Sequence, residues 1–183
     1  MRVISGKYGG QVLVSFQASH IRPTTDRVKE SMFNKVAFRL EEARVLDLFS
    51  GTGSLSIESL SRGAESVDAV ESHSKSLEII KKNKEKLKIG KELKLIKMDV
   101  FRFLEKSDLE PYDVVFVDPP FTKKIAHKVM LKIERSLILK NGTLVVIESA
   151  MDEPIESEYL GFHLLDVKDY GDKKVSYFEY KGL

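Results

Sequence analysis

The chain has 183 residues, 42% hydrophobic and 32% charged, the balance of a globular domain able to bury a core on both sides of a sheet. It has no cysteine, which excludes disulfides, thiolate metal sites and a cysteine nucleophile. Its start, Met1-Arg2-Val3-Ile4-Ser5-Gly6, has no apolar signal region, and no segment approaches about 18 uninterrupted apolar residues, so a cytoplasmic protein is expected.

The net charge of +2 is unevenly spread. Residues 1–40 carry Arg2, Lys7, Arg22, Arg27, Lys29, Lys35 and Arg39 against Asp26 and Glu30, a balance of +5 that leaves −3 for the remainder. Such a front end suits either contact with a polyanion or a solvated arm. Residues 2–5 and 11–15 read as β-like runs joined by Gly6-Lys7-Tyr8-Gly9-Gly10, a hairpin signal. Thr24 or Thr25 then caps a helix with Val28, Met32, Val36 and Phe33 on its apolar stripe. Arg22 and Arg27 flank that helix start, where backbone N–H groups can add to an anion site. The expected organisation is one domain over 1–183, with a basic extension in 1–40 and a core in 41–183.

Arg44–Leu48 is a buried strand running into Phe49-Ser50-Gly51-Thr52-Gly53, a turn that opens a helix carrying Leu55, Ile57 and Leu60. A glycine turn at a helix N-terminus lets a ligand approach the backbone closely. A dinucleotide site would want glycine at position 56, where Ser56 stands, and Asp47 is a poor neighbour for a pyrophosphate. A nicotinamide oxidoreductase is therefore disfavoured, whereas Asp47 suits a ligand with a cationic amino-acid end, such as S-adenosylmethionine. The second strand, Ser66–Glu71, ends in an acid that can accept from both ribose hydroxyls or cap the helix over 74–88. After the strand at 93–97, Asp99 can take an adenine amino group while Val100 or Phe101 packs on the ring.

Val114-Val115-Phe116-Val117 is a fourth buried strand, halted by Asp118-Pro119-Pro120-Phe121 because proline cannot donate to a sheet ladder. Phe121 can stack on a base, worth about 1–3 kcal/mol. Asp118 and the Pro119 carbonyl can accept both hydrogens of an exocyclic amino group. This tetrad resembles the (Asn/Asp/Ser)-Pro-Pro-(Tyr/Phe/Trp) motif of S-adenosylmethionine-dependent amino methyltransferases. A helix over 123–137, a strand over 143–148 and two strands over 161–167 and 175–180 complete the chain. The fold expected is α/β: a Rossmann-like class I methyltransferase with a seven-stranded mixed sheet of order 3-2-1-4-5-7-6, flanked by helices and preceded by the hairpin-and-helix extension. His20, His73, His127 and His163 lack metal-ligand spacing, so no metal is expected.

The whole chain resembles the RsmD family of bacterial 16S ribosomal RNA guanine-N2 methyltransferases. The resemblance rests on Arg2–Tyr8, Arg22–Asn34, Leu46–Leu55, Ser61-Arg62-Gly63-Ala64, Asp118–Phe121 and Tyr170–Ser176, of which the Arg-Pro-Thr block is the most diagnostic. The family often has Tyr where Phe121 stands, so a phenolic hydroxyl is not available here while stacking is. The resemblance implies S-adenosylmethionine held by Asp47, Phe49, Ser50, Gly51, Thr52, Gly53, Glu71, Asp99 and Val100. It implies catalysis by Asp118, Pro119, Pro120 and Phe121, and RNA phosphates on Arg2, Lys7, Arg22, Arg27 and Lys29. The partner implied is 16S RNA, within a small-subunit assembly particle, for a monomeric enzyme. The absence of cysteine fits, since C5-pyrimidine methylation normally needs that nucleophile. An adenine-N6 methyltransferase and a non-catalytic RNA-binding module are the alternatives, and the tetrad alone does not separate adenine from guanine.

Overall fold

The computed structural model describes residues 1–15, 25–120 and 123–182. Strands β1 (Arg44–Leu48), β2 (Ser66–Glu71), β3 (Leu93–Lys97), β4 (Val114–Val117) and β5 (Leu144–Ala150) are parallel. They alternate with helices α2 (Ser54–Ser61), α3 (Ser74–Lys86), α4 (Val100–Leu104) and α5 (Ala126–Ile133). β6 (Glu158–Tyr159), β7 (Phe162–Asp169) and β8 (Lys173–Tyr180) close the sheet antiparallel, in the order β3-β2-β1-β4-β5-β8-β7-β6. The expected order reappears with one addition: the two-residue β6, too short to show a period in sequence, makes an eighth strand at the edge.

The strands are apolar on both faces because helices cover both. Val45, Val67, Val114, Phe116, Leu144, Val146, Val175 and Tyr177 face one core layer with α1 (Asp26–Val36), α2 and α3. The alternate residues Leu46, Leu48, Val115, Val117, Val145, Ile147 and Phe178 face the other, under α4 and α5. α4 follows from Asp99, which caps it by accepting from the N–H groups of Phe101 and Arg102. Its five residues are too few for a readable helical period, so the sequence pattern gives no helix there.

α1 begins after Thr25, whose hydroxyl accepts from the Val28 N–H at 3.4 Å. Just beyond its far end, Arg39 pairs with Glu179 and donates to the Gly142 carbonyl, both at the amino edge of the parallel strands. The start of α1, with Arg27, is therefore directed toward the carboxyl edge. The N-terminal hairpin is reduced to one antiparallel bridge, Arg2 to Val12. Its segment is held instead by side chains. Glu58 of α2 accepts from the N–H groups of Ile4 and Ser5, and Asn83 of α3 bonds both backbone groups of Val14.

Lys29 corrects the expectation that it meets RNA. It is 0% exposed, donates to the Arg2 carbonyl at 2.6 Å and to Ser54, and pairs with Glu58 at 3.5 Å. A lysine on the face of α1 that packs against α2 cannot reach solvent, and burial lowers its pKa against the pull of Glu58 and Asp26. Glu58 is also 0% exposed, so removing it strands a buried cation and frees two amides. Glu58→Ala is expected to cost about 3–5 kcal/mol by urea unfolding. Breaking the half-exposed Lys35–Asp166 pair with Asp166→Ala is expected to cost under about 1 kcal/mol.

Candidate active site at the carboxyl edge

The topological switch lies between β1 and β4, the two strands from which the chain departs in opposite directions across the sheet. Ligands bind at such crevices outside the carboxyl ends of strands. Leu48 is in register with Val117, so the glycine turn after β1 and the Asp118 turn after β4 stand side by side.

The glycine turn is tied down from within. Ser50 is buried and its hydroxyl donates to the carbonyls of Asp47 and Val70, while its N–H also reaches Val70. Phe49 sits at φ +66, a left-handed conformation that a non-glycine residue adopts at a cost of about 1–3 kcal/mol. Gly53, at φ +78, has the Ile80 side chain 3.0 Å from where a Cβ would stand, so any other residue would strain the backbone and press on α3. At Gly51 a Cβ would meet nothing nearer than 3.8 Å among the described residues, which leave the turn open on that side. The carbonyl of Thr52 accepts from Asn83.

Three acids expected at strand ends are brought to this edge in different states. Asp47 is 1% exposed; its Oδ2 accepts from the Ser56 hydroxyl, and its Oδ1 has no partner among the described residues. Burial pushes its carboxyl up to about 7, with Glu71 adding to the rise and Ser56 opposing it. Glu71 accepts from backbone at both neighbouring turns: one oxygen takes the Gly51 N–H at 3.0 Å and the other the His73 N–H at 2.8 Å, just before α3, without capping that helix. A carboxylate has about four acceptor sites, so Glu71 retains capacity for ribose hydroxyls. Asp99 is exposed and uses one oxygen for its cap. The Val100 side chain is 3% exposed and packs into the core, which leaves the half-buried Phe101 as the apolar side chain at this surface.

These residues fit S-adenosylmethionine. A buried carboxylate oxygen without a partner suits a cationic amino-acid end, the open face of Gly51 admits a ligand against the backbone, and Glu71 lies next along the edge.

Beyond the turn, Asp118 is half-buried, Pro119 buried and Pro120 exposed. Phe121 and Arg22 lie outside the described residues. Arg2, Lys7 and Arg27 are exposed, although Arg2 pairs with Asp26 at 3.2 Å. Sequence reasoning missed two features. Glu148, 2% exposed in the last half of β5, stands opposite Asp118, an approach invisible without strand register. A further set of exposed lysines lies outside the basic extension: Lys81 and Lys82 on α3, Lys88 and Lys91 in the connection, and Lys94 and Lys97 on opposite faces of edge strand β3. Its signal was present as a lysine run, but summing charge over everything after residue 40 hid it.

The fold and this edge define a Rossmann-like class I methyltransferase that uses S-adenosylmethionine. The family model described as "Conserved hypothetical protein 95" matches residues 1–179. The ribosomal RNA small subunit methyltransferase D of Haemophilus influenzae is 34% identical over 85% of this chain and 81% of its own. YlbH of Bacillus subtilis is 32% identical over 100% of both chains. The solved structure of yhhF from Escherichia coli superposes with a TM-score of 0.90 at 27% identity, covering 100% of this chain and 99% of that one. The chain belongs to the RsmD family.

A raised carboxyl pKa means that the native state favours the neutral acid. Asp47 therefore contributes stability that is fully present below its ordinary value near 3.8 and is lost as pH rises through about 7. Asp47→Asn, which keeps an acceptor for Ser56, is expected to gain stability relative to wild type across that window, by an amount on the order of a few kcal/mol. Urea midpoints of the cofactor-free protein at pH 5 and pH 8 measure it, and equal differences at the two values would refute it.

Proposed function

We propose that this chain transfers the methyl group of S-adenosylmethionine to the exocyclic N2 amino group of a guanine in 16S ribosomal RNA, within a small-subunit assembly particle. The observation that carries the reading is the placement of Asp118 beside the glycine turn, with Leu48 opposite Val117. The family and the printed names of the relatives support the RNA substrate.

Asp47, Gly51 and Gly53 hold the amino-acid end of the cofactor, Glu71 the ribose, and Asp99 with Phe101 the adenine. When bound, the cofactor supplies an electrophilic sulfonium methyl. The target guanine is extruded from its neighbours at a cost of about a few kcal/mol. Asp118 and the Pro119 carbonyl accept the two amino hydrogens and aim the nitrogen lone pair along the transfer axis. The amino proton becomes acidic once the nitrogen is methylated, so Asp118 need not be a strong base. Catalysis is then chiefly proximity and orientation. Phe121 stacks on the base, a role resting on the sequence motif. Arg2, Lys7 and Arg27, together with the lysines of α3 and β3, hold phosphates; Lys29 is not among them.

Labelled S-adenosylmethionine incubated with small-subunit particles lacking the modification should yield N2-methylguanosine. N6-methyladenosine would overturn the base assignment, and no transfer to particles or free RNA would overturn the substrate. Asp118→Ala should lower kcat by about a hundredfold while leaving cofactor affinity by calorimetry near wild type; equal losses in both would remove Asp118 from its assigned role. Neutralising Lys7 and Arg27 should reduce the salt slope of RNA binding by up to about 0.9 for each phosphate they neutralise. An unchanged slope would move the RNA surface elsewhere.

A further inference from the structure

Asp118, Glu148 and Lys173 form a line of charge across three adjacent strands. Their parity places all three on the sheet face that carries Phe116, Val146 and Val175, the layer under α1. Val117 is in register with Ile147, which sets Asp118 opposite Glu148, and Ala150 is in register with Lys173, two positions further along β5. Lys173 Nζ lies 2.6 Å from Glu148 Oε1, with 6% of Lys173 and 2% of Glu148 exposed. Asp118, opposite Glu148 in that register, acts on it as a second acid and raises its carboxyl. Two carboxyl groups facing each other can hydrogen-bond directly only by sharing a proton, because neither carboxylate oxygen can donate. Such a pair is costly to bury for packing alone.

We infer that Glu148, anchored by Lys173, is a positioning residue that clamps the Asp118 side chain at the mouth of the crevice. The inference rests on the proposed role of Asp118. Glu148 carries the proton and donates it to one Asp118 oxygen, fixing the carboxylate plane and leaving the other oxygen to accept from the substrate amine. Burial, and then Asp118, push the Glu148 carboxyl up to about 8, against the pull of Lys173. Among the described residues, the neighbouring charges on β8 and α1 are engaged elsewhere or exposed. Lys174, next on β8, points to the other face and donates to the Glu153 carbonyl. On α1, Lys29 pairs with Glu58, Lys35 with Asp166 and Asp26 with Arg2, while Arg27 and Glu30 are exposed.

Above the titration of Glu148 two anions would face each other and the clamp would open. Wild-type kcat should therefore fall on the alkaline side, as pH rises past about 8. Glu148→Ala should lower kcat at pH 7 by about ten- to a hundredfold, the penalty of a misplaced reacting group, with cofactor affinity unchanged. Glu148→Gln, whose amide can donate the same bond, should recover about tenfold over Ala and abolish the alkaline fall. Lys173→Met should move that fall to higher pH, since the ammonium favours the ionised acid.

Carboxyl-carbon NMR titration of the free protein reads the shared proton without any activity. One glutamate should titrate far above the usual range, and Asp118→Asn should bring it down. Wild-type kcat in Glu148→Ala, equal losses in Ala and Gln, an alkaline fall that persists in Gln, or glutamates that all titrate normally would each overturn the inference. If wild type itself transfers no methyl to the particles, the substrate reading fails, while the NMR titration still decides the clamp.

Discussion

The adjacency of β1 and β4 is the constraint on which the site depends. The chain lays β2 and β3 to one side of β1, then returns to place β4 on the other. Parallel strands end on the same edge, so the glycine turn and the Asp118 turn, far apart in sequence, emerge together. The Leu48–Val117 register sets which residues meet there, and a slip of one would turn Asp118 to the opposite face. Both turns are then bent by residues that cannot continue a strand or need not obey its geometry: the prolines at 119 and 120, and the glycines at 51 and 53.

Around that crevice, side-chain polar groups do much of the fastening. Glu71 gathers amides from the glycine turn and from the start of α3, so β1 and β2 end as one unit. Glu58 and Asn83 do the same for the N-terminal segment, which lacks a regular strand ladder of its own. The buried Lys29 completes this arrangement by linking Arg2, Ser54 and Glu58. A positive residue in a basic segment thus serves the fold. The exposed charge that remains for a polyanion comes from both the extension and α3, and Val12 and Val14, bonded to Lys86 and Asn83, join the two surfaces.

The acids at the edge look alike in sequence and differ in state. Asp47 is sealed under α2 with one oxygen unsatisfied, Glu71 is satisfied by backbone donors, Asp99 stands in solvent, and Asp118 leans on a second carboxyl. Desolvation raises Asp47 and Glu148, where like charges nearby add to the rise. Pushing Asp47 and Glu148 toward neutrality sets these two apart from the other acids of the edge.

Much of the fold was legible in the chain order. Apolar stretches marked β1, β2, β4 and β5 as strands, the unbroken one in β4 as covered on both faces, and Gly51, Gly53 and the two prolines marked where β1 and β4 end. Thr24 or Thr25 marked the start of α1, and the structure selects Thr25. Short elements were not legible, because β6 and α4 are too brief to display a period. Burial of a charged side chain was not legible either: Lys29 reads as one more cation until α1 is laid against α2. By itself the sequence determined the local states and the order of the strand ends, since these follow from backbone sterics and hydrophobic period within a few residues. Only the tertiary structure decided the pairing of Glu148 with Asp118 and the retreat of Lys29 from solvent. Those depend on register between strands and on which helix faces which, and no local pattern encodes the distance between residues that meet only after the sheet has closed.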